Sequence, residues 1–382
     1  MKKITIWHTN DVHSQFEDFS AIVRYIREHI NFEKDFLLDA GDFCDQKSVM
    51  INGTHGVGGI ELLKSAGYDA MAIGNNEFFA GMEYLEEMTN QNFPLLSANL
   101  FRLNKDPISG VLPFITLKRN GVRVLIIGIS PYWGESPEST AFTDMCGMKL
   151  LEPTPLVQKI LEQEKGNYDI SILLSHGGIK KDREIAETVN GLDCIIGGHS
   201  HTEMDEAEYI NGTWIHQSGC WAKYLGKLTL EVDDNYHVVS ASGDNIVVEK
   251  EKDPEIESVI AKQTKLAIAE LSKVLYVLPQ DLEFSIEHEC MAMNVLADMM
   301  WKTYPSDLAL INHGILSKGI AKEVTKLNLL EVSPSPLNPT TLVWSGKQIK
   351  DALLASQKEE YIHMTPTRWA GFRGKELGNL AV

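Results

Sequence analysis

The sequence predicts an α/β protein whose larger, N-terminal domain contains a sheet covered on both faces. From residue 4 to about residue 248, short apolar runs alternate with helical patterns. Many of these runs are apolar at every position, which is typical of strands with both faces buried between helices. At 382 residues with 43% hydrophobic content, the chain is long enough for two or three domains.

The predicted elements follow one another in a regular order. Apolar runs predict strands at residues 4–7, 36–38, 70–73, 94–96, 122–129, 170–174 and 194–196. Periodic apolar positions predict helices between most of them, for example at 154–164 and 183–189. Four further runs, 214–216, 225–232, 237–240 and 246–248, come without intervening helices and predict antiparallel strands.

A domain junction is predicted near residues 248–256. A solvated run of alternating charges at 249–252 precedes Asp253-Pro254, a carboxylate cap followed by proline at the first helical position. Ile256, Val259 and Ile260 give the following helix an apolar stripe. We therefore expect domains at 1–250 and 251–382, with a further helix at 292–301.

Composition excludes several classes of protein. A formal net charge of −18 argues against binding to nucleic acid, whose phosphates it would repel. The five cysteines are scattered, which favours reduced thiols, and no apolar run approaches the ~20 residues of a membrane span. The lysines at the N-terminus precede an apolar stretch too short for a signal peptide. We expect a cytoplasmic protein that binds neither nucleic acid nor membrane; its oligomeric state stays open.

Polar side chains follow five of the predicted strands. The segments are 8–13, 39–42, 74–77, 175–178 and 197–201, the last containing Gly-Gly-His-Ser-His. In open sheets, ligands bind outside the carboxyl ends of the strands, so these five loops are expected to line one crevice. A single Asp or Asn at a strand end is more often a turn or cap residue, but five such segments together indicate a site.

These segments supply seven nitrogen or oxygen ligands, which indicates two neighbouring metal ions. One catalytic zinc-type site uses fewer protein ligands, whereas two metals ~3.5–4 Å apart need about this many. Asp42 is our choice for the carboxylate that bridges them. The set contains no thiolate and fits Mn, Fe, Zn or Co. Two divalent ions would also give an acidic protein the local positive charge that a phosphate substrate needs. The seven ligands are Asp11, His13, Asp42, Asn75, His176, His199 and His201.

The same residues resemble the signature segments of calcineurin-like metallophosphoesterases. The resemblance rests on Asp-Val-His at 11–13, Gly-Asp at 41–42, Gly-Asn-Asn-Glu at 74–77, Ser-His at 175–176 and Gly-His-Ser-His at 198–201. His-Thr-Asn-Asp at 8–11 and Ser-Ala-Asn at 97–99 are similar to the 5′-nucleotidase branch. In the second domain, Asn-His-Gly-Ile at 312–315 and Ser-Gly-Lys-Gln at 345–348 resemble the C-terminal nucleotide-binding domain of that branch.

The resemblance implies a four-layer α/β/β/α catalytic domain followed by a smaller α/β substrate-binding domain, here a short one. One metal would be held by Asp11, His13, Asp42 and His201, and the other by Asp42, Asn75, His176 and His199. The implied reaction is in-line attack on phosphorus by water that the metals activate. The resemblance also points to Asn99 as a substrate contact.

The sequence departs from the family pattern at three places. Asn76 stands where the family usually has a histidine that is thought to stabilise the transition state or protonate the leaving group. We expect Asn76 to be the catalytic residue at this position, although an amide can donate a hydrogen bond but cannot relay a proton near neutral pH. Leu316 stands where a phosphate-binding arginine is common. The late aromatic segment that clamps the base is not recognisable. Arg368, Trp369, Phe372 and Arg373 are our candidates to replace it, the alternative being a packed terminal segment.

We therefore expect a metal-dependent phosphohydrolase that acts on a small nucleotide or nucleotide-like phosphoester. Within the same class, the alternative is a cyclic-nucleotide or other phosphodiesterase. From a different class, it is a metal- and nucleotide-binding protein with little catalysis, for which Asn76 and Leu316 are the motivation.

Overall fold

The protein is represented by a computed structural model that describes residues 1–333, 339–365 and 376–382. Two compact units follow one another along the chain, Met1–Ala267 and Ile268–Val382. Among the described residues, the helices are all too short or too polar to cross a lipid bilayer.

Strands and helices alternate along most of the first unit. Its strands are β1 (Lys2–Thr9), β2 (Phe36–Asp39), β3 (Ala70–Ala72), β4 (Leu95–Leu96), β5 (Leu100–Arg102), β6 (Val111–Leu112), β7 (Phe114–Arg119), β8 (Val122–Ile129), β9 (Met148–Leu150), β10 (Ile170–Ser175), β11 (Cys194–Gly197), β12 (Glu208–Ile210), β13 (Thr213–His216), β14 (Leu225–Val232) and β15 (Val238–Ile246). Its helices are α1 (Phe16–His29), α2 (Val49–Gly53), α3 (Val57–Ala66), α4 (Asn75–Phe78), α5 (Met82–Thr89), α6 (Pro137–Met145), α7 (Thr154–Gln163), α8 (Ile179–Thr188) and most of α9 (Pro254–Leu271).

Two large sheets form the centre of this unit, whose backbone is described throughout. One has seven strands in the order β15-β14-β1-β2-β3-β4-β6, and the other has six in the order β12-β13-β11-β10-β8-β7. In the first sheet, β1, β2, β3, β4 and β6 run parallel. In the second, β8, β10, β11 and β13 run parallel. The carboxyl ends of the parallel strands in each sheet therefore lie at one edge.

Three apolar clusters account for the layering. Ile6, Leu38 and Ile172 belong to a cluster between the two sheets, to which both sheets contribute. The opposite face of the seven-stranded sheet packs on α1, α3 and α5, and that of the six-stranded sheet on α7 and α8. Both faces of each sheet are thus buried, which explains the continuously apolar strands. The four-layer α/β/β/α arrangement is confirmed.

The expected antiparallel completion is wrong for one strand. β13 runs parallel to β11, because the chain first crosses back through β12, an edge strand whose three residues are too few to stand out as a strand in the sequence. The segments 237–240 and 246–248 are also not separate strands. Residues 238–246 form the single strand β15, an edge strand whose polar, partly exposed middle hid its continuity.

Helix α9 begins as the sequence predicts. The Asp253 carboxylate accepts a hydrogen bond from the Ile256 N–H at 2.9 Å, and Pro254 is the first helical residue. Ile256, Val259 and Ile260 pack on the core of the first unit. The two compact units therefore divide within this helix, and the domain boundary at 250/251 stays a prediction.

The second unit is smaller and has its own core. It contains β16 (Val274–Val277), β17 (Ile311–Asn312), β18 (Glu323–Thr325) and β19 (Leu380–Ala381), with helices α10 (Met291–Thr303), α11 (Lys326–Val332), α12 (Gly346–Ser356) and α13 (Glu359–Ile362). β16 pairs with β18 and β17 with β19, both antiparallel. Leu282, Met293 and Ile311 lie in its apolar core.

A buried histidine pair joins the two sheets of the first unit. His8 on β1 and His216 on β13 share a hydrogen bond of 2.8 Å between ring nitrogens. Glycines make room for both rings, since a Cβ at Gly226 would lie 2.3 Å from His8 and one at Gly243 would lie 2.6 Å from His216. Burial lowers the pKa of His8 well below 6.5 and that of His216 to about 4. The pair is therefore neutral in the folded protein at neutral pH.

This pair is expected to make the protein sensitive to acid. Because both folded-state pKa values lie below the ordinary 6.5, the unfolded chain binds protons that the folded chain does not. The free energy of unfolding should not be reduced by these histidines above pH 6.5. It should decrease as the pH drops from 6.5 towards about 4, by up to ~1.4 kcal/mol per pH unit for each histidine. Urea titrations across this range would measure the slope.

The matched comparison is His216→Gln against His237→Gln, which replaces a histidine whose side chain is 76% exposed. The slope should become shallower in His216→Gln and stay unchanged in His237→Gln. Equal slopes in the wild type and His216→Gln would contradict the assignment.

Candidate metal centre

Loops from both sheets bring the predicted ligands to one place. Asp11 and His13 follow β1, Asp42 follows β2, and Asn75 follows β3, all in the seven-stranded sheet. His176 follows β10, and His199 and His201 follow β11, neighbours in the six-stranded sheet. A site shared between two sheets explains why the segments are so far apart in sequence.

Six of the seven predicted ligands form two groups. Asp11, His13 and His201 make one, and Asp42, His176 and His199 make the other; within each group, the ligand atoms lie within 4.8 Å of one another. This is the grouping of carboxylate and imidazole that the resemblance implies for two metals. The seventh, Asn75, is the first residue of α4, beside Asn76, whose backbone N–H donates to Asp42 Oδ1 at 2.8 Å.

The two carboxylates lie between the groups. Asp11 Oδ1 is 3.3 Å from His201 Nε2 and 3.9 Å from His176 Nε2. Asp42 directs a different oxygen to each group, with Oδ1 3.3 Å from His176 Nε2 and Oδ2 3.9 Å from His13 Nε2. Asp42 thus directs one oxygen to each group, as a bridging carboxylate can, and its role as the bridge stays a prediction.

The predicted ligands fit a metal because several of their atoms have no hydrogen-bond partner. Among the described residues, Asp11 Oδ1, Asn75 Oδ1 and His176 Nε2 are buried and make no hydrogen bond. A buried polar atom without a partner is costly, so such atoms are rare unless a ligand or ion satisfies them. All three belong to the predicted ligand set, and each is the type of atom that coordinates divalent ions.

The backbone of the ligand loops is strained. Asp11, His13, Asp42, His199 and His201 all have φ between 48° and 69°. This left-handed region is uncommon for residues other than glycine, and strained backbone clusters at functional sites. The loops are therefore folded to direct these side chains inward, at the expense of local conformational energy.

Glycines allow the ligand loops to approach closely. A Cβ at Gly74 would lie 2.2 Å from Asp42 Oδ1, and one at Gly198 would lie 3.1 Å from Asp11 Oδ2 and 3.0 Å from His176 Nδ1. Any side chain at these positions would push the ligands apart. The glycines beside the ligands in the sequence therefore have a steric cause.

The orientation of His176 is fixed by the backbone. Its Nδ1 lies 2.7 Å from the Ala40 carbonyl, to which it donates, so Nε2 faces the carboxylates. A second contact of this kind sets the ring and the tautomer of metal-binding histidines. Burial alone would lower the pKa of His176, but Asp42 and Asp11 outweigh it and raise the pKa to about 10. The two carboxylates thus create a strong attraction for a positive charge at Nε2.

Burial and neighbouring charges shift the pKa values of the other three histidines of the centre differently. Burial and the neighbouring His176 lower the pKa of His199 to about 4, and burial lowers that of His13. The Asp11 carboxylate, 3.3 Å from His201 Nε2, raises the pKa of His201. His199 and His13 are therefore neutral near pH 7, which is the form of imidazole that binds metals.

The Asn76 side chain is hydrogen-bonded to Asp42. Its Nδ2 donates to Asp42 Oδ2 at 2.8 Å and lies 3.2 Å from His13 Nδ1. The amide thus orients the carboxylate and offers no titratable proton. The catalytic role of Asn76 stays a prediction.

Asn99 is the one remaining predicted substrate contact among the residues that the structure describes. Asn99 is fully buried, and its amide joins the backbone of Ser130 to that of Leu151 through hydrogen bonds of 2.8–3.1 Å. A direct substrate contact by Asn99 stays a prediction. Arg368, Trp369, Phe372 and Arg373 lie outside the described residues.

Sequence reasoning missed several residues that support the ligands. Asn10 donates to Asp11 Oδ2 at 2.8 Å and accepts from Ser218, which ties the segment 217–219 to the centre. Glu77 accepts hydrogen bonds from the backbone N–H groups of Asp42, Cys44 and Gly74, while burial and Asp42 raise its pKa to about 7. Both residues lie within the motifs that the sequence analysis identified. Their proximity to the site could therefore be predicted, but their hydrogen bonds to the ligand loops could not.

Two tryptophans were also missed. Trp133 lies beside His199, with ring centroids 6.3 Å apart, and Trp221 lies beside His201 at 5.9 Å. The apolar or loop sequence around each tryptophan did not indicate that it lies beside a metal-ligand histidine.

Comparison with known proteins agrees with this geometry. Residues 4–203 match the family model for calcineurin-like phosphoesterases, and residues 268–367 match that for the 5′-nucleotidase C-terminal domain. The metallophosphoesterase YunD of Bacillus subtilis is 27% identical over 99% of this chain and 83% of its own length. The 5′-nucleotidase of Rattus norvegicus is 29% identical over 78% of this chain. The matched region is only 59% of the length of that relative.

A solved structure supports the fold. The NAD nucleotidase of Haemophilus influenzae superimposes with a TM-score of 0.67 over 93% of this chain and 78% of its own, at 16% identity. The first family model alone covers more than half of the 382 residues and contains every predicted metal ligand. The chain belongs to the calcineurin-like phosphoesterase family and is a phosphoester hydrolase of the 5′-nucleotidase-like type.

Proposed function

We propose that the chain is a two-metal phosphohydrolase that cleaves a nucleotide or nucleotide-like phosphoester by in-line attack of water. The observation that carries the proposal is the convergence of buried ligand atoms without hydrogen-bond partners, Asp11 Oδ1, Asn75 Oδ1 and His176 Nε2, on two groups of carboxylate and imidazole. Mn, Zn, Fe and Co are the metals whose preferences suit this nitrogen and oxygen set.

The ligands divide between two ions. Asp11, His13 and His201 would hold one, and Asn75, His176 and His199 the other, with one oxygen of Asp42 directed to each. Two divalent ions bound in this way supply a water nucleophile at neutral pH and stabilise the negative charge of the transition state. Asp11 and Asp42 neutralise only part of the ions' charge, so the centre remains positive and attracts the phosphoryl group despite the acidic chain.

Access to the centre is one-sided. His176 is fully buried, whereas the side chains of His13 and His201 are 14% and 37% exposed. A phosphoryl group would therefore approach over His13 and His201, while His176 and Asp42 form the floor of the site. Asn76 keeps Asp42 in place from the same side.

The nucleotide assignment is supported by the relatives named 5′-nucleotidase and by the matched C-terminal domain. We assign Asn99, Arg368, Trp369, Phe372 and Arg373 to substrate binding as a proposal from the sequence. Cytoplasmic location is likewise a proposal: all five cysteines are free thiols, which suits a reducing compartment.

Removing the bridging carboxylate should abolish both metal binding and turnover. Asp42→Asn loses the negative charge that the two groups share. With manganese added, the wild type should gain thermal stability, because an ion that binds only the folded state stabilises it, and should release phosphate from AMP. The variant should show neither effect. Differential scanning fluorimetry and phosphate release measure the two.

The matched control is Asp234→Asn, which makes the same chemical change at a side chain that is 95% exposed. It should behave as the wild type in both assays. A panel of AMP, a 2′,3′-cyclic nucleotide and 4-nitrophenyl phosphate separates a monoesterase from a phosphodiesterase. Metal-dependent stabilisation without turnover of any panel member would instead favour the binding protein.

Asn76→His should restore a proton donor. The imidazole Nδ1 occupies the same place along the side chain as the amide nitrogen, so it can keep the hydrogen bond to Asp42, while Nε2 adds a group that titrates near neutral pH. Turnover of AMP, whose alkoxide leaving group needs a proton, should rise by up to ~10²-fold. Turnover of 4-nitrophenyl phosphate should change little, because nitrophenolate leaves without protonation.

The ratio of the two rates is the measurement that matters, since general damage to the site would lower both. Asn76→Gln, which keeps an amide, serves as the control and should not raise the ratio. An unchanged or lower ratio in Asn76→His would indicate a site adapted to work without that proton donor.

A further inference from the structure

Two partly exposed tryptophans flank the candidate metal centre. Trp133 is 38% exposed and its ring lies 6.3 Å from that of His199, at an interplanar angle of 53°. Trp221 is 57% exposed and its ring lies 5.9 Å from that of His201, at 69°. Each indole therefore borders a histidine of a different ligand group, with part of its surface open to solvent.

The loop that carries Trp133 is anchored where it begins. Its loop follows β8 and begins at Ser130, whose hydroxyl donates to the Ile73 carbonyl at 2.7 Å and whose backbone is bonded twice to the Asn99 amide. The indole packs against Phe78 and Phe79, which follow the Asn75-Asn76 pair at the start of α4. The buried Asn99 thus fixes the loop that carries Trp133.

Trp221 is held by strained backbone. Trp221 and Ala222 have φ of 59° and 53°, in a region that bulky residues rarely adopt. The Trp221 N–H donates to the Asp11 carbonyl at 2.7 Å, which ties this turn to a ligand loop. An unfavourable conformation that places a large aromatic ring at the mouth of a site is the kind of outlier from which a functional role is inferred.

Partly exposed indoles on anchored loops beside a charged centre suit a substrate with both an anionic and a planar part. Fixed aromatic side chains bind planar rings with little loss of side-chain entropy. We propose that Trp133 and Trp221 form an aromatic subsite in the first unit that binds a planar ring of the leaving group while the metal centre holds the phosphoryl group. This inference rests on the proposed function and assigns selectivity for ring-bearing phosphoesters to these two residues.

A matched pair of substrates tests the subsite. AMP and ribose 5-phosphate have the same phosphoester bond and sugar and differ in the base. The wild type should prefer AMP, and Trp133→Leu combined with Trp221→Leu should lower the ratio of their kcat/KM values by roughly three- to tenfold, mainly through the KM for AMP. Turnover of ribose 5-phosphate should change little.

Tyr209→Leu is the control variant. Tyr209 is 59% exposed on the edge strand β12 and pairs with Trp214 near the amino end of β13, at the opposite edge from the ligands. The ratio of kcat/KM for AMP to that for ribose 5-phosphate should be the same in Tyr209→Leu as in the wild type. An unchanged ratio in the double tryptophan variant, or an equal loss for both substrates, would overturn the subsite.

Intrinsic fluorescence provides a readout that does not require turnover. AMP should change the tryptophan emission of the wild type and of Tyr209→Leu, and this change should be clearly smaller in the double variant; ribose 5-phosphate should have no such effect. If no substrate is hydrolysed, the proposed function fails, while the fluorescence titration still decides the subsite. If hydrolysis occurs but emission responds equally in the double variant, only the subsite fails.

Discussion

Two buried carboxylates impose the constraint on which the catalytic unit depends. Asp11 and Asp42 are almost completely removed from solvent, in a region where isolated negative charges are strongly unfavourable. Asp11 Oδ2 accepts hydrogen bonds from Asn10 and the His199 backbone, and both oxygens of Asp42 accept from Asn76. These bonds orient the carboxylates without neutralising them, so their stability requires positive charge nearby.

The surrounding structure answers that requirement in two ways. Four imidazoles from both sheets approach the carboxylates, and the raised pKa of His176 expresses the resulting attraction for a proton or a cation. At the same time, the lowered pKa values of His13 and His199 keep those rings neutral and able to coordinate. The centre attracts cations, but protonation of its histidines does not balance the charge of the two carboxylates. Such a centre is suited to bind divalent metals.

Substrate selection then falls to groups around the centre and not to the centre itself. In the proposed centre, two metals and their ligands would stabilise any phosphoryl group, whatever it is attached to. Asn76 orients Asp42 and cannot protonate the departing oxygen, which favours good leaving groups. Trp133 and Trp221 give the first unit a means of recognising a planar ring, independent of the C-terminal segment to which the sequence directed attention.

The ligand set and the first unit's architecture could be predicted because both depend on local sequence. A strand with two buried faces must be apolar throughout, and a ligand loop must follow it with Asp, Asn or His and with glycine where the backbones meet, as at Gly74 and Gly198. The N-cap at Asp253 is equally local, since the carboxylate and Pro254 act within one turn. Together these features were sufficient to indicate the four layers and the segments that meet at the candidate metal centre.

Tertiary structure alone decided the features that depend on which distant segments meet. Sequence could not show that β13 runs parallel to β11, because the strand that reverses the chain between them, β12, has only three residues and does not stand out in the sequence. Nor could it place the Asn99 amide beneath the loop of Trp133, or Trp221 beside His201. Strand order and loop approach follow from the summed packing of many residues, whereas a residue's own sequence neighbourhood specifies only its strand, its turn and its chemical type.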